Sequence, residues 1–179
     1  MTSASASRRA LSRIRIWTAV FIAGLVLSGA TAIPIGTELN LAPQLFRPTS
    51  LTPGDAPSTP AEWLGRVREG VQTTYARYPF IAYGTDWLVF GHFAIAVLFL
   101  GAWRDPVRNA WLFRGGIAVC LLVIPFALGL GAWRGAPLWW RPIDCSFGLG
   151  GLLPLGFCLR WLKRVSVPAA PDSAVTSER

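Results

Sequence analysis

Charged residues and histidine are scarce in this sequence. Charged side chains make up 15% of its 179 residues, and histidine occurs once, at His92. A chain with one histidine cannot supply both axial ligands of a bis-histidine haem. A phosphate-binding glycine loop and the G-x-S-x-G and H-E-x-x-H motifs are also absent. The sequence therefore identifies neither a reaction nor a cofactor. It leaves open whether the protein is an enzyme and leans towards one that is not.

Cysteine is equally sparse, with three residues at Cys120, Cys145 and Cys158. They have no C-x-x-C spacing, which argues against a thioredoxin-like redox pair and against a zinc site. Because an unpaired cysteine commonly packs as a small apolar residue, we expect that role for all three. We predict no metal site.

Hydrophobic residues, by contrast, make up 53% of the chain, and the mean hydropathy is +0.44. A helix rises about 1.5 Å per residue, so roughly 20 apolar residues cross the hydrocarbon core of a bilayer. We predict four such spans, over 16–35, 86–103, 113–133 and 142–161. Eight of the nine tryptophans lie at or beside the ends of these runs, where indole rings prefer the headgroup boundary. The sequence therefore predicts an all-α, integral membrane four-helix bundle whose first partner is the lipid bilayer.

The remaining segments divide into two tails and one long loop. We predict a tail over 1–15, one membrane domain over 16–164 with an outer loop over 36–85, and a disordered tail over 165–179. Within the loop, apolar residues recur at helical spacing over about 60–78, and charged residues occupy the other faces. This pattern predicts an additional amphipathic helix, which would lie on the membrane surface or pack against a partner subunit.

The first apolar run has two interpretations. Arginines precede it and the triplet Ala30-Thr31-Ala32 ends it, which is the pattern of a cleavable signal peptide. Alternatively, the run is a retained signal anchor, since it is long enough to span the membrane. We favour the anchor because apolar residues continue through Ile33 and Ile35.

The distribution of charge predicts the orientation. Eleven of the 17 Lys and Arg residues, with three acidic residues, lie in the tail over 1–15, the turn over 104–114 and the C-terminal residues 160–179. The loop over 36–86 and the turn over 134–144 hold six basic and six acidic residues. Positive loops stay in the cytoplasm, so we predict an inner-membrane protein with both termini cytoplasmic. The arginines follow membrane ends instead of forming a basic face with interleaved aromatics, so we expect no nucleic-acid partner.

A polar pocket is predicted near the outer ends of the second and fourth spans. Asp86, His92, Arg141 and Asp144 all fall in the outer third of the bundle if this orientation holds, and Glu38 could join them. Ionisable groups in a membrane domain are costly, so each needs a partner or a function. If a cofactor binds at all, His92 is the candidate ligand, and a proton relay is the other possible function for it.

Each of these residues also has a purely structural interpretation. Thr85 or Asp86 could cap the second span, and Asp144 could favour the dipole at the start of the fourth. Arg141 could mark the interface or pair with Asp144. A neutral, hydrogen-bonded structural role is an alternative for His92, and its partner would come from another span because Asp86 does not share its helix face.

Three functions follow from this architecture. The leading hypothesis is a non-catalytic structural or accessory subunit that packs against other membrane subunits or against itself. Small residues at four-residue spacing would permit close helix approach; these are Gly24, Ser28, Ala127, Gly131, Ser146 and Gly150. The first alternative is a small membrane enzyme or ligand-binding protein with an outward pocket around His92 and Asp144. The second is an oligomeric channel or transporter, although a coupled transporter usually needs an ionisable group at the midplane, and most of the spans have none.

Overall fold

The computed structural model describes residues 3–33 and 59–165, and these residues are almost entirely helical. The α-helices are α1 (Ser3–Ala32), α2 (Pro60–Arg77), α3 (Ala82–Arg104), α4 (Ala110–Trp133) and α5 (Arg141–Val165), with a 3₁₀ turn at Pro79–Ile81. Four of them, all but α2, are long and apolar enough to cross a membrane. The prediction of an all-α, four-helix membrane bundle is confirmed. The predicted disorder over 165–179 concerns residues outside the described ranges, except for Val165, which ends α5.

Two helices begin earlier than the sequence predicts. Helix α1 starts at Ser3, so most of the predicted tail over 1–15 continues the first span as helix. Helix α3 starts at Ala82, and its N-cap is Ile81 without a side-chain hydrogen bond. Asp86 is therefore the fifth residue of the helix, and the interpretation of Thr85 or Asp86 as its cap is wrong. The helix extends back to Ala82 through Gly84, and the 3₁₀ turn that begins at Pro79 precedes it.

Helix α2 begins where the loop sequence predicts. The Thr59 side chain accepts a hydrogen bond from the Glu62 backbone, and the Glu62 side chain accepts one from the Thr59 backbone. This capping box satisfies two backbone donors that a helix start leaves without partners, and Pro60 fixes the first helical residue. The helix ends at Arg77, one residue before the predicted end and just before Pro79.

Helix α1 packs along both α3 and α5, and α4 packs along α5, whereas α3 and α4 have few contacts. We refer to α1 with α3 and to α4 with α5 as the two pairs, and the contact between α1 and α5 joins them. In the first pair, α1 packs along α3, and a Cβ at Gly29 would lie 3.1 Å from the Cβ of His92. In the second, α4 packs along α5, and a Cβ at Gly148 would lie 2.5 Å from the backbone oxygen of Cys120. Glycine is required at both places because only a residue without a side chain lets the helices approach this closely.

The most buried part of the core lies towards one end of the bundle, which we call the closed end. It contains the start of α1, the turn between α3 and α4, and the end of α5. The largest side chains that are completely buried there are Ile14, Thr18, Phe113, Leu155 and Cys158. Thr18 donates to the Ile14 carbonyl at 2.8 Å and lies 3.5 Å from the sulfur of Cys158.

The opposite end, called the open end, holds the end of α1, the start of α3 and the turn between α4 and α5. Helix α2 contacts both pairs at this end. The hydroxyl of Tyr75 lies 3.0 Å from that of Thr85 on α3, and the Trp63 ring lies 6.2 Å from the Trp140 ring beside α5. Because these contacts lie twelve residues apart on α2, the helix crosses about 18 Å between the two pairs.

The outer surface of the bundle is apolar. Each long helix directs at least one large apolar side chain outward with more than half of its surface exposed: Leu27 on α1, Leu88 on α3, Phe126 on α4 and Phe147 on α5. Contiguous exposure on this scale is unfavourable in water and is what a lipid-facing surface requires.

Candidate ligand cleft

A cleft of about 890 Å³ runs among the four long helices, from Trp17 and Trp111 on the side of the closed end to Ser28 and Ser146 on the side of the open end. Glycine and apolar side chains supply nearly all of its lining, and each of the four long helices contributes to it. It can form because α3 and α4 have few contacts with each other, whereas α1 packs against both α3 and α5. Gly24 and Gly150 both line the cleft, and a Cβ at either position would have no atom within 4 Å.

Large side chains narrow the cleft at one level. The Phe99 ring packs against the rings of Phe21, at 4.7 Å, and Phe113, at 6.3 Å between centroids. Phe21 also approaches Gly151, where a Cβ would lie 3.3 Å from its ring. These contacts join α1, α3, α4 and α5 at this level, and Trp17, Trp111 and Leu112 continue the lining on the side of the closed end.

His92 lines this cleft from α3. Because α3 begins at Ala82, His92 is the eleventh of its 23 residues and lies close to the middle of the helix. Its Nδ1–H donates to the carbonyl oxygen of Leu88 at 2.9 Å, one turn earlier on the same helix. With the proton on Nδ1, a neutral imidazole keeps a lone pair on Nε2 that can accept a hydrogen bond. The predicted partner from another span is therefore replaced by a backbone carbonyl of its own helix.

Two serines complete the polar part of the cleft lining. Ser28 lies on α1, next to the glycine that contacts His92, and Ser146 lies on α5. The Ser146 hydroxyl donates to the carbonyl oxygen of Ile143 and is occupied by its own helix. Ser28 and His92 thus place two polar groups in an otherwise apolar cleft.

The other predicted pocket residues lie outside the cleft lining. Asp86 is exposed on the first turns of α3. Arg141 donates from Nε and Nη2 to the carbonyl oxygen of Ala136, at 3.1 and 3.0 Å, and so holds the turn before α5. Asp144 lies in the first turn of α5, and its backbone N–H donates to the Trp140 carbonyl oxygen at 3.3 Å. Glu38 lies outside the described residues.

The structure does not join these predicted residues into one site. Within residues 3–33 and 59–165, no hydrogen bond or ion pair links His92 with Asp86, Arg141 or Asp144. No group of three or more metal-binding side chains comes together in the same ranges. All three cysteines are free and buried.

The polar residues that share the cleft with His92 were recognised in the sequence only as small residues. Ser28 and Ser146 each stand four residues from a glycine, which indicates close packing but no site. Their common location depends on how the two pairs are placed relative to each other, and no sequence pattern predicts that placement.

Comparisons with known protein families, with curated proteins and with solved structures find no match for this chain.

Proposed function

We propose that this protein is a non-catalytic membrane protein that binds an amphiphilic, membrane-soluble ligand in the cleft between its two helix pairs. The observation that carries this proposal is the cleft itself: about 890 Å³, apolar, and provided with a few polar groups. Pockets for small molecules in proteins have about this volume and this kind of lining, and they occur between the helices of bundles.

The lining of the cleft, apolar apart from His92 and two serines, suits an amphiphile. A chain-like apolar molecule fits the cleft, and its polar group could donate to the His92 Nε2 or bond with the Ser28 hydroxyl.

The proposed location is the inner membrane, with the closed end and both termini in the cytoplasm. The closed end holds ten Lys and Arg residues and one acidic residue in the described ranges, whereas the open end holds five basic and four acidic residues. This asymmetry supports the orientation because positive segments remain on the cytoplasmic side. The outer helix α2 is accordingly proposed as an amphipathic helix on the non-cytoplasmic side.

The first span is proposed to be retained in the mature protein. Ile14 and Thr18 of α1 are completely buried against the other helices. Cleavage after Ala32 would remove these side chains from the core and expose their contacts. N-terminal sequencing of the mature protein tests this, and a chain that starts at Ile33 would contradict it.

Ligand retention during mild detergent purification tests the cleft. We expect mass spectrometry to detect an amphiphile at about one molecule per chain in the unaltered protein. Gly150→Leu should reduce its occupancy at least five-fold, because the new side chain projects into the cleft without meeting another atom within 4 Å at its Cβ. Gly129→Leu is the matched control, since Gly129 is equally open but does not line the cleft. Equal retention in all three proteins would contradict the proposal.

An accessory subunit is the second candidate function. Gly84 and Gly91 lie seven residues apart on α3, and a Cβ at either would have no atom within 4 Å. A neighbouring helix could therefore approach this face closely. Migration as part of a larger assembly in mild detergent would support it, and a stable monomer without any co-purifying protein would count against it.

Ion-flux measurements in liposomes test the channel alternative.

A further inference from the structure

Two arginines from different helices share one indole ring at the closed end. The Cζ of Arg13 on α1 lies 4.5 Å from the centroid of the Trp161 ring, and the Cζ of Arg164 on α5 lies 4.2 Å from the same point. The two guanidinium carbons are thus no farther apart than the sum of these distances, about 8.7 Å. The ring attracts both cations through its face, so it holds two like charges near each other.

An acidic partner for this pair does not occur in the described residues. The acid of the closed end is Asp105, and its carboxylate accepts a hydrogen bond from the Arg108 backbone at the turn between α3 and α4. Asp172 and Glu178 lie outside the described ranges. An anion between the two guanidiniums would relieve their repulsion. A phosphate group suits this position because its oxygens can accept hydrogen bonds from two guanidinium groups at once.

An apolar path leads from the arginine pair to the cleft. One turn deeper than Trp161, the Phe157 ring stacks on the Trp17 ring, with centroids 4.6 Å apart and planes 19° apart. Trp17 also lines the cleft, and Leu153 and Gly150 continue the lining along α5. From Trp161 to Gly150 the helix rises about 16 Å. A charged group at the arginines and a chain in the cleft could therefore belong to one molecule.

We propose that Arg13 and Arg164 bind the phosphate of an anionic phospholipid, and that one of its acyl chains runs past Trp17 and Phe157 into the cleft. The placement of the chain rests on the proposed function, whereas the phosphate contact does not. The excess of basic residues at this end favours an anionic over a zwitterionic headgroup. Basic pockets between helices on the cytoplasmic side of a membrane are suited to such lipids.

Lipid titration of the whole protein in mild detergent, followed by native mass spectrometry, tests the headgroup. We expect phosphatidylglycerol to bind with at least a five-fold lower apparent Kd than phosphatidylcholine with the same chains. The double variant Arg13→Gln/Arg164→Gln should lose this preference. Arg108→Gln/Arg114→Gln removes the same charge from the other corner of the closed end and should keep it. An equal loss in both double variants would contradict the proposal, because it would indicate general surface charge.

Two further measurements identify the source of the phosphate and confirm folding. Inorganic phosphate or glycerol phosphate at the lipid concentration should not displace the lipid; equal competition would show a site for soluble anions and would overturn the proposal. Both arginines are exposed, so we expect the thermal midpoint of the variant to match that of the control. Trp161→Leu, which removes the shared ring and keeps both charges, should weaken the preference by a smaller factor.

The chain and the headgroup can be tested separately. Gly150→Leu should keep the preference for an anionic headgroup but abolish the preference for long over six-carbon acyl chains. If Gly150→Leu has no effect while the Arg13 and Arg164 variant does, the phosphate site stands and the cleft function fails. If Gly150→Leu changes chain preference while the arginine variant changes nothing, the phosphate site is wrong and the cleft function stands.

Discussion

The closed and open ends of this bundle are built from the same four helices and differ in what lies between the pairs. At the closed end, six residues are completely buried, among them Phe113, Leu155 and Ile14. At the open end, the corresponding space is a cleft of about 890 Å³. One end provides the packing that holds the pairs together, and the other leaves room for a ligand.

The comparison also shows that glycine has opposite effects in the two settings. Within a pair, Gly148 and Gly29 bring helices together because a neighbouring side chain or backbone fills the space beside them. Between the pairs, Gly24 and Gly150 leave that space empty. The spacing of small residues therefore predicts where helices can approach, and the neighbouring residues decide whether they do.

Replacement of the central aromatic of the closed end should have the largest effect. Phe113 has no exposed surface, and it packs on Phe99. Phe113→Ala should lower the free energy of unfolding by about 4 kcal/mol, since it leaves a cavity between the pairs. Denaturant titration in mild detergent measures this. Phe126→Ala, on the exposed face of the same helix, should cost less than about 1 kcal/mol. Similar losses for both would mean that the closed end does not hold the pairs together.

The close approach within a pair should be the next most sensitive feature. A Cβ at Gly148 would lie 2.5 Å from a backbone oxygen of α4, which cannot move aside as a side chain can. Gly148→Leu should therefore cost about 3 kcal/mol in unfolding free energy, at the upper end for an overpacked core. Gly150→Leu, two residues away in open space, should cost less than about 1 kcal/mol. If the two variants are equally stable, α4 and α5 are less tightly packed than the structure indicates.

The overall fold follows from the sequence because its main signal is length and apolarity. Four runs of suitable length predict four helices, and the capping residues Thr59 and Pro60 locate the start of α2. The helix starts are less well predicted. The residues before Ile16 include no proline or glycine, so α1 extends through them, and α3 extends through Gly84 back to Ala82. Composition separates apolar from polar segments, whereas the end of a helix depends on backbone hydrogen bonds.

The candidate site is less predictable than the fold for a physical reason. Sequence reasoning grouped His92 with Asp86, Arg141 and Asp144 because all are ionisable and near one end. Two of these side chains instead bond with backbone groups close to them in the chain. The Leu88 carbonyl accepts from His92, and the Ala136 carbonyl accepts from Arg141. The residues around His92 depend on the distance between the helix pairs, and no sequence pattern predicts that distance.

The contact between α2 and α3 should have the smallest effect and is confined to the open end. The Tyr75 hydroxyl bonds with that of Thr85 at 3.0 Å, in a partly exposed position. Tyr75→Phe removes this hydrogen bond, which is worth about 0.5–1 kcal/mol, and keeps the ring. We expect two- to five-fold faster amide hydrogen exchange in α2 without a change in the global unfolding free energy. Tyr83→Phe is the control, because its exposed ring packs on Trp87. A fall in global stability on Tyr75→Phe would contradict this expectation. It would show that α2 holds the two pairs together at the open end, as the buried core does at the closed end.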